Sequence, residues 1–401
     1  MSSSVNITEI TQAKTWKEYN RLQKEQRKQW KEERLIKKLK KEEKRNNIEN
    51  ETKKEESEAK IKKRNTSTIT IAIPGSILDN AQSAELRTYL AGQIARAACI
   101  YKVDEIVVFD DKGVITESEK KKVRTDEVLG EGRICCLQLV KILQYLECPQ
   151  YLRKHFFPIH KDLQYAGVLN PLDAPHHLRQ QDVSLYREGV VSNKPVKTGK
   201  GSQVNVGLLN EIRVDKELMP GLRVTVKIPP NQENPKKMKG IIVSPTEPKS
   251  ETGIYWGYSV KLAKNLSEVF KKCSYKEGYD LTIGTSDKGT SIDDISPKSL
   301  KYDHALIVFG GLSGLEAALE VDSDLPDEDP SSVFHKYLNI CPHQGSRTIR
   351  TEEALLLSLA ELRTKLFPKN PVLPNAQFDS ILVYTSISHW FDPLKHIVIR
   401  K

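Results

Sequence analysis

Residues 339–354 read NICPHQGSRTIRTEEA and combine the end of an apolar strand, a turn and the start of a helix. Gly345 supplies flexible backbone in the middle of this stretch. Thr351 is predicted to be the N-cap of the helix, because Glu352 follows it in the first turn, where acidic side chains complement the helix dipole. Two interpretations of this local pattern remain: an ordinary connection between a strand and a helix, or a loop that holds a ligand.

Two more glycine-rich turns follow predicted strands upstream. The apolar run at residues 305–309 leads into the turn at 310–314, and the run at 279–283 leads into a turn at 284–289. In an α/β sheet the carboxyl ends of neighbouring strands form one crevice, and ligands bind there. The chain has neither a GxGxxG turn followed by the expected acidic residue nor a GxxxxGK[ST] loop, so a conventional NAD or ATP site is not expected.

The amino-terminal part of the predicted sheet has β-α-β order. A strand pattern, ITIAIP, follows Thr68 and ends at Pro74, and residues 105–109 form a second strand rich in β-branched side chains. A helix is predicted between them over residues 80–98. The spacing of apolar residues predicts one buried face for this helix and one for the helix that begins near residue 351. The side chains assigned to these faces are Leu86, Leu90, Ile94 and Ala97 in the first helix and Leu355, Leu356, Leu359, Leu362 and Leu366 in the helix after residue 351.

From about residue 183 to residue 258 the sequence changes to short β-type runs separated by Gly, Pro, Asn and Lys, which predicts a small barrel. Modules that bind single-stranded nucleic acid use basic loops to contact the backbone and aromatic side chains to stack on the bases. The residues predicted to contact RNA are Lys194, Lys197, Lys200, Lys236, Lys237 and Tyr255. Aromatic side chains beside a strand can equally belong to a core, and Trp256 is predicted to pack.

The positive charge of the chain is concentrated in its first 64 residues. The net charge is +10, and residues 1–64 contain 20 Lys or Arg against 12 Asp or Glu, which gives +8 and leaves +2 for the remainder. This segment has few apolar residues, so it is predicted to be a solvated helix or a disordered arm. Its basic clusters could contact phosphates or direct nuclear import, or the arm could simply aid solubility.

Cysteine and histidine spacing gives no metal-binding pattern. The six cysteines form no CxxC pair, and His176 with His177 has no cysteine nearby, so no metal site is expected. This usage fits reduced thiols in the cytosol or nucleus. No apolar run is long enough to cross a bilayer and no signal-peptide core is present. We expect a soluble protein of the nucleus, nucleolus or cytoplasm, without a membrane partner.

Five ordered stretches resemble one family. They are LRTYLAGQIARAACIYKVDEIVVFDD from Leu86, GIYWGY from Gly253, GYDLTIGTSDKG from Gly278, HALIVFGGLSGLEAALE from His304 and CPHQGSRTIRTEEALLLSLAEL from Cys341. Over residues 67–365 the chain resembles the SPOUT class of S-adenosylmethionine-dependent methyltransferases, within the eukaryotic and archaeal subfamily that carries an inserted RNA-binding domain. The resemblance implies an α/β-knot fold, with a deep carboxyl-terminal trefoil knot and an OB-like barrel insertion.

The resemblance also implies the site residues. S-adenosylmethionine is expected in the knot loops, and the residues implied to bind it are Thr285, Gly310, Gly311, Leu312, Gly314, Asn339, Ile340, Gln344, Gly345, Ser346, Thr348 and Ile349. Arg347 and Arg350 are candidates to stabilise a developing anion, and Arg87 is a candidate to reach the reaction centre. For Arg87 a surface salt bridge is the alternative, and Glu353 is either a proton acceptor or a helix cap.

The resemblance divides the chain into a tail (1–66), the first half of the methyltransferase domain (67–182), the barrel (183–258), the second half with the knot (259–367) and an extension without an assigned role (368–401). The expected activity is methylation of RNA, with ribosomal RNA as substrate and a base nitrogen of uridine preferred over a ribose hydroxyl. A homodimer through the knot is expected. The alternatives are a catalytically silent RNA-binding scaffold and a methyltransferase that acts on proteins.

Overall fold

The computed structural model describes residues 66–113, 132–195, 201–230, 238–325 and 329–371. The predictions for the basic tail before residue 66, for the extension after residue 371 and for Lys197, Lys200, Lys236 and Lys237 lie outside the described residues.

The described strands and helices follow the predicted order. The strands are β1 (Thr68–Pro74), β2 (Glu105–Phe109), β3 (Tyr186–Val191), β4 (Gln203–Asn205), β5 (Ile212–Val214), β6 (Arg223–Lys227), β7 (Lys239–Val243), β8 (Ser259–Ala263), β9 (Leu281–Ser291), β10 (Leu300–Tyr302), β11 (His304–Val308), β12 (Lys336–Asn339) and β13 (Leu366–Pro368). The α-helices are α1 (Ala84–Ile100), α2 (Ile134–Glu147), α3 (Gln150–Phe156), α4 (Glu247–Thr252), α5 (Leu266–Lys271), α6 (Gly314–Glu320), α7 (Pro330–Val333) and α8 (Thr351–Lys365).

A parallel sheet of six strands, in the order β12-β9-β11-β1-β2-β8, forms the centre of the α/β domain. Alternate side chains of its strands enter two different cores, because successive residues of a strand point to opposite faces. Ile71 and Ile307 pack under α1, α2 and α8, whereas Ala72 and Leu306 pack under α5 and α6. Both faces are therefore covered, which explains the continuous apolar runs of β1, β2 and β11.

Three helix predictions need correction. The first helix begins at Ala84 rather than at residue 80, because residues 75–80 form a 3-10 turn and Ser83 caps the helix by accepting a hydrogen bond from the Leu86 amide. Thr351 is not the N-cap of α8; Arg350 occupies that position, and the Thr351 hydroxyl donates to the Gly310 carbonyl at 3.0 Å. Leu86 and Leu356 were assigned to buried faces, but both are exposed.

The predicted barrel is confirmed as a closed sheet of five strands in the order β3-β4-β5-β7-β6. Its pairs are antiparallel except for β5 with β7, which is parallel. Val204, Ile212 and Val226 are fully buried in its centre. In the chain the barrel lies between β2 and β8, which are neighbours in the large sheet. It is therefore an insertion between two adjacent strands.

An ionic cluster with two buried carboxylates joins the barrel to the α/β domain, and we call it the barrel joint. Arg223 of β6 donates to both carboxylate oxygens of Glu147, at the end of α2, at 2.7 and 3.0 Å, and its Nε donates to Glu188 of β3 at 2.9 Å. Trp256 Nε1 donates to Glu188 at 2.6 Å, so this ring packs at the joint, as predicted. Burial alone would raise the pKa of Glu147, but Arg223 and His176 lower it to about 2.

Candidate active site

The turn predicted after residue 283 is a bulge inside a long strand. Tyr337 of β12 pairs with Gly284 of β9, and the next residue, Leu338, pairs with Thr290. Residues 285–289 therefore project from the ladder at the carboxyl side of the sheet. A Cβ at Gly289 would lie 2.5 Å from the Leu338 carbonyl carbon, so the close approach of the bulge to β12 requires glycine there.

The second loop follows β11 directly. A Cβ at Gly310 would lie 2.7 Å from the Gly314 carbonyl carbon, and Gly314 itself has a φ of +81°. The turn is therefore too tight for a side chain at Gly310. Thr285 Oγ1, in the bulge, donates to the Val308 carbonyl at 3.1 Å and connects the bulge to this loop. Leu312 at its tip is 77% exposed.

The third loop, residues 339–350, is connected to the first. Asn339 Nδ2 donates to the Asp287 carbonyl at 2.9 Å, while its Oδ1 accepts from the Cys341 amide at 3.1 Å. Within the loop, Gln344 Nε2 donates to the Ser346 carbonyl at 2.9 Å. Ser346 Oγ donates to the Thr348 carbonyl at 2.8 Å. These two side chains hold the shape of the loop.

The three loops therefore meet at the carboxyl ends of three neighbouring strands, β12, β9 and β11, as the sequence predicts. Thr351 completes the arrangement, because its hydroxyl joins the end of the third loop to Gly310 of the second. Ile340 is half-buried against the core below α8, whereas Gly345 and Thr348 are exposed and Ile349 is half-buried. The backbone amides and carbonyls of these loops are thus gathered in one place, which is the arrangement that binds ligands in α/β folds.

The candidate arginines have different surroundings. Arg347 and Arg350 are exposed in the third loop, and the Arg350 amide donates to Glu353 Oε2 at 3.0 Å. Glu353 therefore caps α8, the second of the two roles considered for it. Arg87 is half-buried on α1, where its Nε donates to the Ala81 carbonyl at 3.3 Å. This bond fixes the turn before α1 instead of forming the surface salt bridge considered as an alternative.

The ends of β1 and β2 add an acidic group that the sequence analysis missed. Ser76 Oγ donates to Asp111 Oδ2 at 2.5 Å, and a Cβ at Gly311 would lie 2.9 Å from the same oxygen. The neighbouring Asp110 is buried and bound through both oxygens by Arg133 Nε at 3.1 Å. Burial raises the pKa of Asp110, and Arg133 opposes this effect. The FDD sequence after β2 was the available signal, but its proximity to Gly311 exists only in the fold.

The predicted RNA contacts within the described residues are only partly accessible. Tyr255 is 5% exposed and its hydroxyl donates to the Val103 carbonyl at 2.8 Å, so its prediction as a stacking platform is wrong. Burial raises the pKa of Tyr255 well above its ordinary value. Lys194 is exposed on the barrel, where its Nζ lies 3.0 Å from Glu211 Oε2. The Glu211 carboxylate therefore partly neutralises the charge that this lysine could offer to a phosphate.

Two further properties concern only the part of the chain that the structure describes. No group of three His, Cys, Asp or Glu side chains there is arranged to hold a metal ion. No helix there is long and apolar enough to cross a membrane. His176 and His177 instead contact the Glu147 carbonyl at the barrel joint, at 2.9 and 2.7 Å.

Comparison with known proteins gives the family. The family described as "Putative RNA methyltransferase" matches residues 68–362, which span the sheet, the barrel and all three loops. The chain belongs to this RNA methyltransferase family. The match confirms the resemblance to RNA methyltransferases proposed from the sequence.

Individual relatives cover most of the chain. A "28S rRNA (uridine-N(3))-methyltransferase" of Drosophila melanogaster is 53% identical over 375 residues, which are 92% of this chain and 76% of that protein. The Homo sapiens protein of the same name is 53% identical over 78% of this chain and 83% of that protein. A solved structure, the SpoU methyltransferase AviRb of Streptomyces viridochromogenes in complex with AdoMet, aligns with 74% of this chain and 57% of the AviRb chain. The sequence identity is 8% and the TM-score is 0.28, so this structural similarity supports no conclusion.

Proposed function

We propose that this protein transfers a methyl group from S-adenosylmethionine to N3 of a uridine in large-subunit ribosomal RNA. The observation that carries the proposal is the meeting of three loops at the ends of β12, β9 and β11, in a chain whose relatives at 53% identity are named 28S rRNA (uridine-N(3))-methyltransferases. A catalytically silent scaffold is the weaker candidate, because the glycines that make these close approaches possible are all in place.

The methyl donor is proposed to lie on the three loops. Gly310, Gly311 and Gly314 allow the second loop to turn tightly against neighbouring atoms of the protein, and Thr285 and Asn339 connect the other two loops to it and to each other. The apolar side chains of these loops that are proposed to cover an adenine ring are Leu312, which is exposed, and Ile340 and Ile349, which are half-buried. Bound there, S-adenosylmethionine supplies an activated methyl group, and the role of the loops is to orient that group toward the acceptor.

The exposed guanidinium groups of Arg347 and Arg350 are proposed to stabilise the negative charge that develops on the acceptor. Neither takes part in a salt bridge with another described residue. A uridine that loses its N3 proton carries charge on its two carbonyl oxygens, and positioned cations lower the free energy of such a species. Arg87 is proposed to act one step further away, by fixing the segment between β1 and α1.

A trefoil knot is proposed for residues 259–367. After β11 the chain forms α6 on one face of the sheet, returns through β12 at the sheet edge, and then forms α8 on the opposite face against α1. A knot further requires that the chain pass through a loop, and we propose that it does so beside the Gly310 loop, which Thr351 contacts. An OB-like barrel is proposed for the insertion, because its third and fifth strands pair in parallel while its other pairs are antiparallel. Barrels of this kind present loops and one sheet face to nucleic acid.

A homodimer is proposed through an exposed apolar face on α1 and α8, which we call the α1-α8 face. Its exposed members are Leu86, Tyr89, Ile100, Leu356 and Leu357. A cavity of about 290 Å³ lies among Tyr89, Ile100 and Leu356, next to the first turn of α8 and hence next to the third loop. A second copy on this face would cover the apolar side chains and lie beside the active site of the first.

The test combines binding with product analysis. Calorimetric titration with S-adenosylmethionine is expected to give one saturable site per chain. Incubation with tritiated S-adenosylmethionine and transcripts of large-subunit rRNA is expected to give 3-methyluridine, identified by mass spectrometry of the digested nucleosides. Binding without transfer would support the scaffold, and label that resists ribonuclease but not protease would support a protein substrate. Label in 2′-O-methylnucleosides would refute the assignment to N3.

A further inference from the structure

The barrel is attached at the amino ends of the strands of the large sheet. Lys249 of α4, which follows the barrel in the chain, is paired with Asp104, the residue before β2. The Tyr255 hydroxyl donates to the carbonyl of Val103, also before β2, at 2.8 Å. The barrel joint lies at the same end, because α2 begins beside the carboxyl end of β2 and runs back along the sheet to Glu147. The barrel therefore lies beyond the amino ends of β2 and β8.

The three loops lie at the opposite end of the sheet. They are at the carboxyl ends of β9, β11 and β12, and all strand pairs of this sheet are parallel, so its amino and carboxyl ends are separate edges. In the strand order, β11 and β1 lie between β9 and β2. With about 4.8 Å between neighbouring strands and about 3.3 Å per residue along the five residues of β2, the loops are roughly 20 Å from the attached end of the barrel.

The exposed sheet face of the barrel is on the side away from the joint. β3 and β6 face the joint through Glu188 and Arg223. On β4, β5 and β7 the side chains that alternate with the core point outward, and we call this surface the open face. Its members are Gln203, Asn205, Arg213, Lys239 and Ile241. Arg213 and Lys239 are partners in the ladder between β5 and β7, so two cationic side chains lie side by side there, which suits a phosphate backbone.

The open face is farther from the loops than the joint is, since the body of the barrel lies between the joint and this face. Opposite walls of a small barrel are about 10 Å apart, as in packed sheets, so roughly 30 Å separate the open face from the three loops of the same chain. The surface expected to bind RNA and the site expected to bind the methyl donor are therefore distant from each other.

We propose that the barrel is a remote anchor for the RNA: the open face binds one segment of the substrate while the target uridine, roughly 30 Å away, enters the three loops. This inference rests on the function proposed above. The substrate is a folded RNA that holds the two segments about one duplex turn apart, since a short fragment around the uridine reaches only the loops. The anchor stabilises the bound RNA equally in the ground state and in the transition state, so it lowers KM and leaves kcat unchanged.

The barrel joint keeps the anchor at a fixed distance from the loops. Arg223 connects β6 to Glu147 of α2 at 2.7 Å, and Lys227 connects the same strand to Glu251 of α4 at 2.9 Å. Trp256, which precedes β8, donates to a carboxylate of β3. The barrel is thus held by α2, by α4 and by the segment before β8, and these contacts resist rotation of the open face relative to the loops.

The test compares two RNAs in steady-state kinetics. One is a long transcript of an rRNA domain that wild-type protein methylates, and the other is a hairpin around the methylated uridine that is shorter than one duplex turn. The variant combines Arg213→Glu with Lys239→Glu and reverses both cations of the open face. The matched control combines Lys301→Glu with Lys336→Glu, two exposed lysines on strands of the α/β domain.

The expected result is a change in KM that depends on the length of the RNA. On the long transcript, KM of the variant should rise about tenfold or more, while its kcat and its affinity for S-adenosylmethionine stay within about twofold of wild type. On the hairpin, wild type should already show the raised KM, and the variant should match it. The control should equal wild type on both RNAs.

Ribonuclease footprinting on the long transcript is an independent readout. Wild-type protein should protect two separate segments, and the variant should lose protection of the one that lacks the methylated uridine. The proposal would be overturned by one continuous footprint around the uridine, by equal wild-type efficiency on both RNAs, or by a variant that matches wild type on the long transcript. Impairment of the variant on the hairpin would also overturn it, because a barrel of either copy would then form part of the active site. A wild-type protein inactive on every rRNA transcript would instead refute the proposed function.

Discussion

Removal of the guanidinium from the barrel joint should destabilise the protein strongly. In Arg223→Met the aliphatic part of the side chain remains, but Glu147 and Glu188, whose side chains are 9% and 5% exposed, lose their cation. Loss of one partner from a buried ion pair costs about 3–5 kcal/mol. Because a third of the Arg223 side chain is accessible, water can partly replace it, and we expect a loss near 3 kcal/mol in the free energy of unfolding.

The stabilisation of the fold by the ion pair between Arg223 and Glu147 should depend on pH. The pKa of Glu147 is about 2 in the folded protein, below its ordinary value of 4.5, so its ion pair stabilises the fold fully above pH 4.5 and loses this effect as the pH falls toward 2. The difference between the two pKa values corresponds to about 3 kcal/mol. The gap in stability between wild type and Arg223→Met should therefore be largest at pH 7 and should shrink steadily from pH 5 to pH 3.

The assay is urea unfolding followed by circular dichroism at pH 7, 5, 4 and 3. The matched control is Arg213→Met, which removes an exposed arginine from β5 of the same barrel and is expected to change stability by less than about 0.5 kcal/mol at every pH. If Arg223→Met loses less than about 1 kcal/mol at pH 7, or loses the same amount at pH 3, the ion pair is not what stabilises the joint.

Two more substitutions test the loops and the proposed dimer. Gly289→Ala places a Cβ 2.5 Å from the Leu338 backbone and should weaken S-adenosylmethionine binding about tenfold. The control is Gly167→Ala, whose Cβ has no atom within 4 Å and which should keep the wild-type affinity. Equal calorimetric affinities of the two variants would contradict the role of the bulge. Leu356→Glu, in the α1-α8 face, should convert a dimer into a monomer in sedimentation velocity, while Leu209→Glu, which is exposed on the barrel, should leave the dimer intact. A wild-type protein that stays monomeric at all concentrations would exclude the proposed dimer.

The central strands could be predicted from sequence because a strand buried on both faces has a short, nearly continuous apolar sequence. ITIAIP and ALIVF are sequences of this kind. The three loops could be placed together because parallel strands end at one edge of the sheet. The spacing of apolar residues in the helices did not show which of them pack against the core. Leu356 has the period of a core residue and is nevertheless 45% exposed, because periodicity identifies an apolar face without showing what covers it.

The errors at the site arise from contacts between distant parts of the chain. Tyr255 and Trp256 are adjacent aromatic residues, and only the path of the backbone decides that Tyr255 enters the α/β core. Asp111 meets Gly311 across 200 positions of sequence, so no local pattern indicates the contact. Thr351 has the residue type of an N-cap, but its hydroxyl is used by the Gly310 carbonyl.

The position of the three loops in the chain also determines when the binding site can exist during synthesis. All three loops lie between residues 284 and 351, after β1, β2 and the whole barrel have been made. At roughly 5–20 residues per second, the interval between the completion of the barrel and the emergence of α8 lasts on the order of 5–25 s. Throughout that interval the three loops are incomplete, so a barrel that binds RNA as we propose would be available on the nascent chain before the site for the methyl donor exists.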